Sequence, residues 1–465
     1  MNNLRPKIGL LGLTLELYDT IPGLYEELNT FGLELVNILS AFSEVSYPGI
    51  CYQRGQVDQA VDQFESQKVD LILVVFLSYS PSLITVPALL RSKTPVLIWN
   101  TQRLMEIPPT ISSWETTKNH GMHGVQDLTN VLNRIGKKYE MITGHYQDAD
   151  VIQQVKKVCE AARVAKWLKQ SRIGLIGYAM EGMGDFALDE TSFLAQLGVE
   201  IKHLSMREVE RRAVKITTNL LHEHWLEDGK RYRIANNIDE KTYQASERLV
   251  CAIREMMNEY SLAGFASHFK AIGDEGILET LPFLASSKLL AEGYGFGGEG
   301  DVTSATMVSI MRQLAGAASF TEMFSMDFAD NSILFMHMGE ANYEFARQNE
   351  PINMVKSSLG LINLKVDPVL LAFGYASGEV TLASLTTTIE GQLKIVATEG
   401  KMLDFPYAED LGRPHGKFQP SSRMEQFLTR YSIEGGSHHL ALVYGKYAGH
   451  LEILARMNGL SYALV

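Results

Sequence analysis

The sequence has few cysteines and no long apolar run. Its three cysteines, Cys51, Cys159 and Cys251, are odd in number and far apart, so they provide neither a disulfide framework nor a CxxC metal pair. No apolar run approaches the roughly 20 residues of a membrane span, and residues 1–7 lack the small-residue cleavage site of a signal peptide. We therefore expect a protein of the reducing cytoplasm.

Basic residues are outnumbered by acidic ones. The chain has 42 Lys and Arg against 54 Asp and Glu, a formal net charge of −12, which disfavours non-specific binding to nucleic acid or to anionic membranes. Apolar residues make up 46% and charged residues 21% of the 465 residues, as in ordinary globular proteins. The chain is long enough for two to four domains with sizeable cores.

Short apolar runs alternate with helical stretches in the first part of the chain. The runs at residues 8–13, 70–76, 95–99 and 139–144 are typical of parallel strands covered on both faces. After a helical stretch at 149–170, residues 172–177 resemble the first strand of a second α/β domain. Helical patterns follow at about 240–260 and 302–314. The alternation predicts two doubly wound α/β domains, 1–170 and 171–320.

The character of the sequence changes towards its carboxy terminus. Residues 361–405 are rich in β-branched side chains and are punctuated by Gly360, Gly374, Gly378, Gly391 and Gly400, which is typical of antiparallel strands joined by tight turns. A helix over about 447–457 is expected to close the chain. Residues 321–465 are therefore predicted to form a β-rich, barrel-like domain with a terminal helix.

The glycine-rich segment at residues 293–301, GYGFGGEGD, is the most unusual stretch. It is neither a GxGxxG after a strand nor a Walker A motif with its lysine, so phosphate binding is disfavoured. Two interpretations stay open: a structural glycine turn, and a loop that presents Glu299 and Asp301 to a metal or a polyol. The IGLLG and IGLIG segments at residues 8–12 and 173–177 also lack the third glycine of a dinucleotide site, which argues against an NAD-dependent oxidoreductase.

Three groups of histidines stand out among the twelve. His438 and His439 follow a glycine-loosened turn, and His337 ends an apolar run in which a buried imidazole needs a polar partner. His120 and His123 share the segment NHGMHG at residues 119–124. Spacing alone gives little support to a metal site made from Glu299, Glu322, His337 and His439, because these residues are far apart in the sequence.

Several blocks, in the same order along nearly the whole chain, resemble the L-arabinose isomerase family and, more distantly, the L-fucose isomerases. Residues 292–301 resemble the family's QGYGFAGEGD segment, 319–322 its SFMED block, 335–338 its AHML block and 435–439 its GGAHH block. Residues 143–148 resemble TGHWQD, and 100–102 resemble an HTQ that follows a strand. Each block is modest alone, but their common order is specific.

The resemblance implies a metal-dependent aldose–ketose isomerase that acts on a free pentose, deoxyhexose or hexose. It implies metal ligands at Glu299, Glu322, His337 and His439, with Glu299 and Glu322 also the catalytic acid/base pair. Such an oxygen and nitrogen set suits Mn²⁺ or a similar divalent cation. It further implies two α/β domains before a β-rich domain, and a homo-oligomer, a trimer-based hexamer with active sites at subunit contacts. The residues expected to contact the sugar are His120, His123, Phe269, Phe324 and His438.

The chain also departs from the family pattern at positions expected to face the sugar. Residues 13–18 read LTLELY where the family has an SQHLYG loop, His120 replaces a glutamine, and Phe324 replaces a tyrosine. Since the metal set is intact while the sugar-facing set changes, we expect a sugar specificity other than L-arabinose. The alternative is a non-catalytic sugar-binding or regulatory protein on the same scaffold, but such a protein would not need the metal ligands.

Overall fold

The computed structural model describes residues 5–273, 278–358, 362 and 364–465. The chain forms two compact units, one ending at Lys166 and the other running from Trp167 to Val465. In the part of the chain that the structure describes, no helix is both long enough and apolar enough to cross a bilayer.

The first unit is built on one parallel sheet. The strands are β1 (Lys7–Leu13), β2 (Glu44–Ser46), β3 (Ile50–Cys51), β4 (Leu71–Phe76), β5 (Val96–Asn100) and β6 (Glu140–Thr143). Their order is β2-β1-β4-β5-β6, with β3 also beside β1, and every pairing is parallel. All six side chains of β4 are buried, as the continuous apolar run predicts for a strand covered on both faces.

Helices connect these strands. They are α1 (Leu24–Leu39), α2 (Arg54–Ser66), α3 (Val86–Arg91), α4 (Ser113–Lys118), α5 (Gly121–Arg134) and α6 (Ala149–Leu168), the last of which carries the chain into the second unit. The ring of Phe64 on α2 packs so closely on β1 that a Cβ at Gly9 would lie 2.4 Å from it. The glycine at this strand position therefore lets helix and sheet approach.

The second unit begins with another parallel sheet. The strands in the first part of this unit are β7 (Arg172–Ile176), β8 (Glu200–Leu204), β9 (Arg233–Ile234), β10 (Gly264–Ser267) and β11 (Gly295–Gly297). The parallel sheet has the order β11-β10-β7-β8. Its helices are α7 (Glu190–Leu197), α8 (Met206–Ala213), α9 (Thr218–Arg231), α10 (Glu240–Glu259), α11 (Phe269–Gly273), α12 (Phe283–Glu292) and α13 (Val302–Ala315).

The rest of the second unit is rich in strands. These are β12 (Ser319–Asp327), β13 (Ser332–Met336), β14 (Asn353–Lys356), β15 (Val369–Ala372), β16 (Gly378–Thr387), β17 (Leu393–Met402), β18 (His415–Pro420), β19 (His439–Tyr444) and β20 (Ser461–Leu464), with helices α14 (Met424–Ile433) and α15 (Ala448–Asn458). The order β16-β19-β12-β13-β18-β17-β20 closes into a barrel because β16 also pairs with β17. A small sheet, β15-β14-β9, lies apart from it.

The predicted fold class is confirmed: parallel α/β sheets precede a β-rich, barrel-like region. The antiparallel pair β16 and β17 lies in the predicted 361–405 stretch, whereas Gly360 and Leu361 lie outside the described residues. One detail was wrong. The helix α15 does not close the chain, because β20 follows it and pairs in parallel with β17.

The barrel sets the positions of the residues that carry chemistry. In the register of the sheet, Glu322 on β12 lies opposite His439 on β19 and opposite Met336 on β13, and His337 follows Met336 directly. Glu322, His337 and His439 are therefore brought together where β12 changes its pairing partner from β19 to β13.

Candidate active site

The glycine-rich segment delivers Glu299 from the end of β11. Its backbone has φ +58° at Glu299, a left-handed conformation that is uncommon for a residue with a side chain. Gly300 has φ +81°, and a Cβ there would lie 2.4 Å from the carbonyl oxygen of Tyr178. At Gly298 a Cβ would lie 3.1 Å from Cε1 of His337. The glycines thus allow the loop to pass close to its neighbours and hold the carboxylate of Glu299 beside the histidines.

Two imidazoles face this carboxylate. Oε2 of Glu299 lies 3.6 Å from Nε2 of His438 and 3.9 Å from Nε2 of His439. These three residues each offer a ligand atom within 4.8 Å of the others. Such a combination of carboxylate oxygen and imidazole nitrogen can hold a divalent cation.

Each histidine of the site has a carboxylate behind it. Nδ1 of His439 lies 3.0 Å from Oδ2 of Asp301, Nδ1 of His438 lies 2.6 Å from Oδ2 of Asp185, and Nδ1 of His337 lies 2.7 Å from Oε2 of Glu340. A carboxylate at Nδ1 fixes the ring and leaves Nε2 free to act as a ligand, as in many metal sites. The arrangement thus resembles the outer shell of a metal centre.

The two remaining predicted ligands, Glu322 and His337, lie near this group but outside the tight cluster of three. The ring centroids of His337 and His439 are 5.5 Å apart. The ring of Phe320 packs against both, with centroid distances of 4.9 Å to His337 and 4.8 Å to His439. Glu322 is close enough to help raise the pKa values of both His337 and His438. The fold therefore gathers all four predicted ligands in one region.

Buried atoms at the centre of the site fit a cation. Oε2 of Glu299 and Nε2 of His439 are buried and have no hydrogen-bond partner among the residues that the structure describes. An unpaired polar atom in the interior costs about 1–3 kcal/mol. Because both atoms carry lone pairs and face each other, a divalent cation is a partner that satisfies both.

Neighbouring charges shift the pKa values of the site residues in the direction opposite to the effect of burial. Burial alone would raise the pKa of Glu299, but the imidazoles of His438, His439 and His337 hold it below the ordinary value. Burial alone would lower the pKa of His438, but Asp185 and Glu299 raise it to about 10. The pKa of His337 is raised as well, against its desolvation and mainly by Glu340. The carboxylate of Glu299 is therefore ionised at neutral pH.

A cavity of about 240 Å³ opens beside these groups. Its volume lies just below the range of about 300–1,000 Å³ typical of small-molecule pockets, which suits a ligand of monosaccharide size. Polar groups come from Ser267, Glu299, His337 and Glu340. The other lining residues are apolar: Met180, Phe269, Ile272, Leu281, Pro282, Phe283, Met338 and Ile362.

The residues predicted to contact the sugar belong to both units. Phe269 lines the cavity and His438 faces Glu299. Phe324 is 44% exposed and occupies a bulge of β12, between the paired residues Met323 and Ser325. His120 and His123 belong to the first unit, where their rings pack edge to face at 4.4 Å at the start of α5.

Family models match most of the chain. Models of the N-terminal, central and C-terminal domains of L-arabinose isomerase match residues 30–170, 187–317 and 317–461. The chain belongs to the L-arabinose isomerase family. The central and C-terminal models of the family meet at residue 317, between α13 and β12.

Curated members of the family match most of the chain. The L-arabinose isomerase of Thermotoga neapolitana is 27% identical over 80% of this chain and 75% of its own length. The enzymes of a Nocardioides species and of Geobacillus thermodenitrificans are 25% and 24% identical, each over 83% of this chain, and over 78% and 79% of their own lengths. Among solved structures, a periplasmic solute-binding protein from Actinobacillus succinogenes with bound D-allose covers 67% of this chain and is covered over 92% of its own length. At 13% identity and a TM-score of 0.17, it carries no inference.

Sequence reasoning missed several residues of the site. Asp185, Glu340 and Phe186 were not predicted. The ring of Phe186 stacks on that of His439, with the centroids 5.9 Å apart. For Asp301, one interpretation of the glycine segment predicts a group that faces a metal or a polyol. In the structure it accepts hydrogen bonds from Thr303 and Ser304 at the start of α13 and holds His439, so it supports the site from behind.

Proposed function

We propose that this protein is a metal-dependent aldose–ketose isomerase that acts on a free sugar of five or six carbons. The observation that carries the proposal is the pairing of Glu299 with imidazoles whose Nδ1 atoms are fixed by carboxylates, at the edge of a cavity of monosaccharide size. Membership of the L-arabinose isomerase family supports the same reaction class.

The cation site proposed here consists of Glu299, Glu322, His337 and His439. Two carboxylates and two imidazoles favour Mn²⁺ or a similar divalent ion over metals that prefer sulfur. The orphaned atoms of Glu299 and His439 support these two as ligands. When bound, such an ion polarises the sugar's oxygens as a Lewis acid.

The reaction moves a hydrogen from C2 of the aldose to C1 of the ketose. Through an enediol, a base takes the C2 proton and gives it back at C1, while the hydroxyl proton passes from O2 to O1. We assign this acid/base work to the pair Glu299 and Glu322. Positioned carboxylates can supply such proton transfer, and the ionised state of Glu299 is consistent with it.

His438 is proposed to contact the sugar rather than the cation. Its Nδ1 lies 2.6 Å from Asp185 and its Nε2 lies 3.6 Å from Glu299, and these carboxylates raise its pKa to about 10 against its desolvation, which favours an imidazole that donates hydrogen bonds. Phe269, which lines the cavity, is proposed to cover an apolar face of the sugar. His120, His123 and Phe324 complete the proposed contacts, and in an assembly the His120–His123 loop would reach a site of a neighbouring subunit.

The departures from the family pattern extend the proposal to specificity. A site that hydrogen-bonds a particular hydroxyl discriminates strongly against analogues that leave its polar groups unpaired. Histidine in place of glutamine at position 120, and phenylalanine in place of tyrosine at 324, change such groups. L-arabinose is therefore not the best substrate in this proposal. A cytoplasmic location and a trimer-based hexamer also remain predictions.

The experiment is a screen of free pentoses, 6-deoxyhexoses and hexoses with Mn²⁺, with ketose formation as the readout. Glu299→Gln and Glu322→Gln should each lower kcat by about 10²–10⁴, the usual contribution of a general acid or base. Glu452→Gln, at a side chain that is half exposed on α15, is the matched control and should be fully active. A chain that binds Mn²⁺ and sugar yet isomerises none of them would instead be a sugar-binding protein.

A further inference from the structure

A second group of potential ligands lies among helices α9, α10 and α12, apart from the candidate active site. Nδ1 of His224 lies 2.8 Å from Oε1 of Glu247 and 3.8 Å from Sγ of Cys251. One ligand atom from each of the three residues lies within 4.8 Å of the others. An imidazole, a carboxylate and a thiol thus converge on one point.

Helix geometry explains the convergence. Glu247 and Cys251 are four residues apart on α10, so they lie on one face of that helix, and His224 on α9 approaches this face. Glu247 and Cys251 are buried, whereas the side chain of His224 is 30% exposed. The partly exposed imidazole puts one edge of the group in contact with solvent.

The charges around the group leave one negative charge to be balanced. The buried ammonium of Lys288 lies 2.5 Å from Asp228 and 2.6 Å from Glu247, and Tyr243 donates a hydrogen bond to Asp228. Two carboxylates therefore share one ammonium, while the guanidinium of Arg254 nearby is paired with Glu292. The hydrogen bond to Glu247 raises the pKa of His224 against burial and against Lys288 and Arg254, which favours an imidazolium that balances the remaining charge. Lys288 donates to Oε2 of Glu247, and His224 contacts Oε1. Oε1 can therefore exchange the imidazole for another partner without disturbing the contact of Oε2 with Lys288.

We propose that His224, Glu247 and Cys251 form a second cation site, specific for a thiophilic divalent ion such as Zn²⁺. Binding releases the proton of the His224 imidazolium and that of the Cys251 thiol. The ion's two positive charges replace those of the two departing protons, so the buried group stays neutral. A thiolate and an imidazole select zinc-like metals, in contrast to Mn²⁺.

The thiol's proton is the main competitor of the ion. Burial raises the pKa of the Cys251 thiol to about 11, so the metal has to displace a proton at neutral pH. A coordinated thiol is nevertheless deprotonated outright by a bound cation. The site should therefore bind more tightly as the pH rises.

The test is a titration of the full-length chain with Co²⁺, which replaces Zn²⁺ and reports its ligands in the absorption spectrum. A thiolate ligand gives a sulfur-to-cobalt charge-transfer band, which the carboxylates and imidazoles of the candidate active site cannot give. We expect a band that saturates at one Co²⁺ per chain, persists with Mn²⁺ present and disappears when Zn²⁺ is added. His224→Asn should weaken Co²⁺ binding at this site by at least about tenfold.

The matched pair of variants is Cys251→Ser and Cys51→Ser, since both thiols are buried. The band should be lost in the first and kept in the second. A folded wild-type chain that shows no such band, or a band that survives Cys251→Ser, would overturn the proposal. If Cys251→Ser does not fold, the His224→Asn titration decides, and unchanged Co²⁺ affinity there would count against the site equally.

Discussion

Glu340 is the sharpest place to test how the candidate site is supported. Its carboxylate lies 2.7 Å from Nδ1 of His337, and both side chains are only 7% exposed. Glu340→Gln keeps the size of the side chain and an oxygen that can accept the same hydrogen bond, but removes the charge. The variant therefore separates the electrostatic support of His337 from its packing.

Loss of an outer-shell partner of a metal ligand typically costs about 10–100-fold in metal affinity, which corresponds to about 1.4–2.7 kcal/mol. Because glutamine can still accept the hydrogen bond, we expect Glu340→Gln to lose about tenfold in Mn²⁺ affinity. Glu340→Ala removes the acceptor as well and should lose nearer about a hundredfold. The two variants therefore separate the contribution of the Glu340 charge from that of its hydrogen bond.

The pH dependence follows from the same contact. Glu340 raises the pKa of His337 against its burial, and a cation can bind only the form with a free lone pair on Nε2. In the wild type, protons therefore begin to compete at a higher pH than in Glu340→Gln. The loss of Mn²⁺ affinity in Glu340→Gln, relative to the wild type, should be largest above the wild-type pKa of His337 and should shrink as the pH falls.

The assay is a Mn²⁺ titration in which free Mn²⁺ is measured by electron paramagnetic resonance at several pH values. Glu344→Gln, four residues further on and exposed, is the control and should match the wild type. If folded Glu340→Gln and Glu340→Ala both bind Mn²⁺ within about twofold of the wild type, His337 is not a ligand held by Glu340, and the reasoning fails.

Three further predictions concern stability, assembly and substrate. The pKa of Glu208 is lowered despite its desolvation, by Tyr260 and Arg212, so its stabilising effect is present above the unfolded-state pKa of about 4.3 and is lost as the pH falls through the folded pKa. Glu208→Gln should therefore destabilise the chain towards urea by about 1–3 kcal/mol at pH 7, and a deficit that persists undiminished well below pH 4 would contradict this. Sedimentation at micromolar concentration should show a trimer-based assembly, and a monomer would refute it. In kcat/KM across the aldopentoses, L-fucose and D-galactose, L-arabinose should not lead; a lead of about tenfold, or roughly 1.4 kcal/mol, would show that the changes at His120 and Phe324 do not alter specificity.

The parallel part of the fold could be predicted because buried parallel strands are continuous apolar runs. The runs before residue 177 correspond to β1, β4, β5, β6 and β7. Some short strands with distant partners left no such signal. The two-residue β9 pairs with β14 more than a hundred residues later, and the four-residue β20 pairs in parallel with β17. Neither pairing is encoded by a local period.

The candidate site was reached through family resemblance rather than spacing. The supporting role of two carboxylates was not predicted, because Asp301 and Asp185 act on His439 and His438 across 138 and 253 residues. Glu340 is different, since it stands only three residues after His337. A buried histidine at the end of a strand needs a polar partner, and the nearest carboxylate in the sequence was a signal that could have been used.

The most direct test of the proposed function is a comparison of demetallated and Mn²⁺-loaded protein with the best aldose found in the screen. After exhaustive treatment with EDTA, the chain should form no ketose, and added Mn²⁺ should restore turnover. His439→Ala should need more Mn²⁺ than the wild type for the same rate, whereas Cys159→Ala should not. Full turnover by the demetallated wild type would contradict the central claim, that the cluster around Glu299 works as a metal-dependent isomerase site.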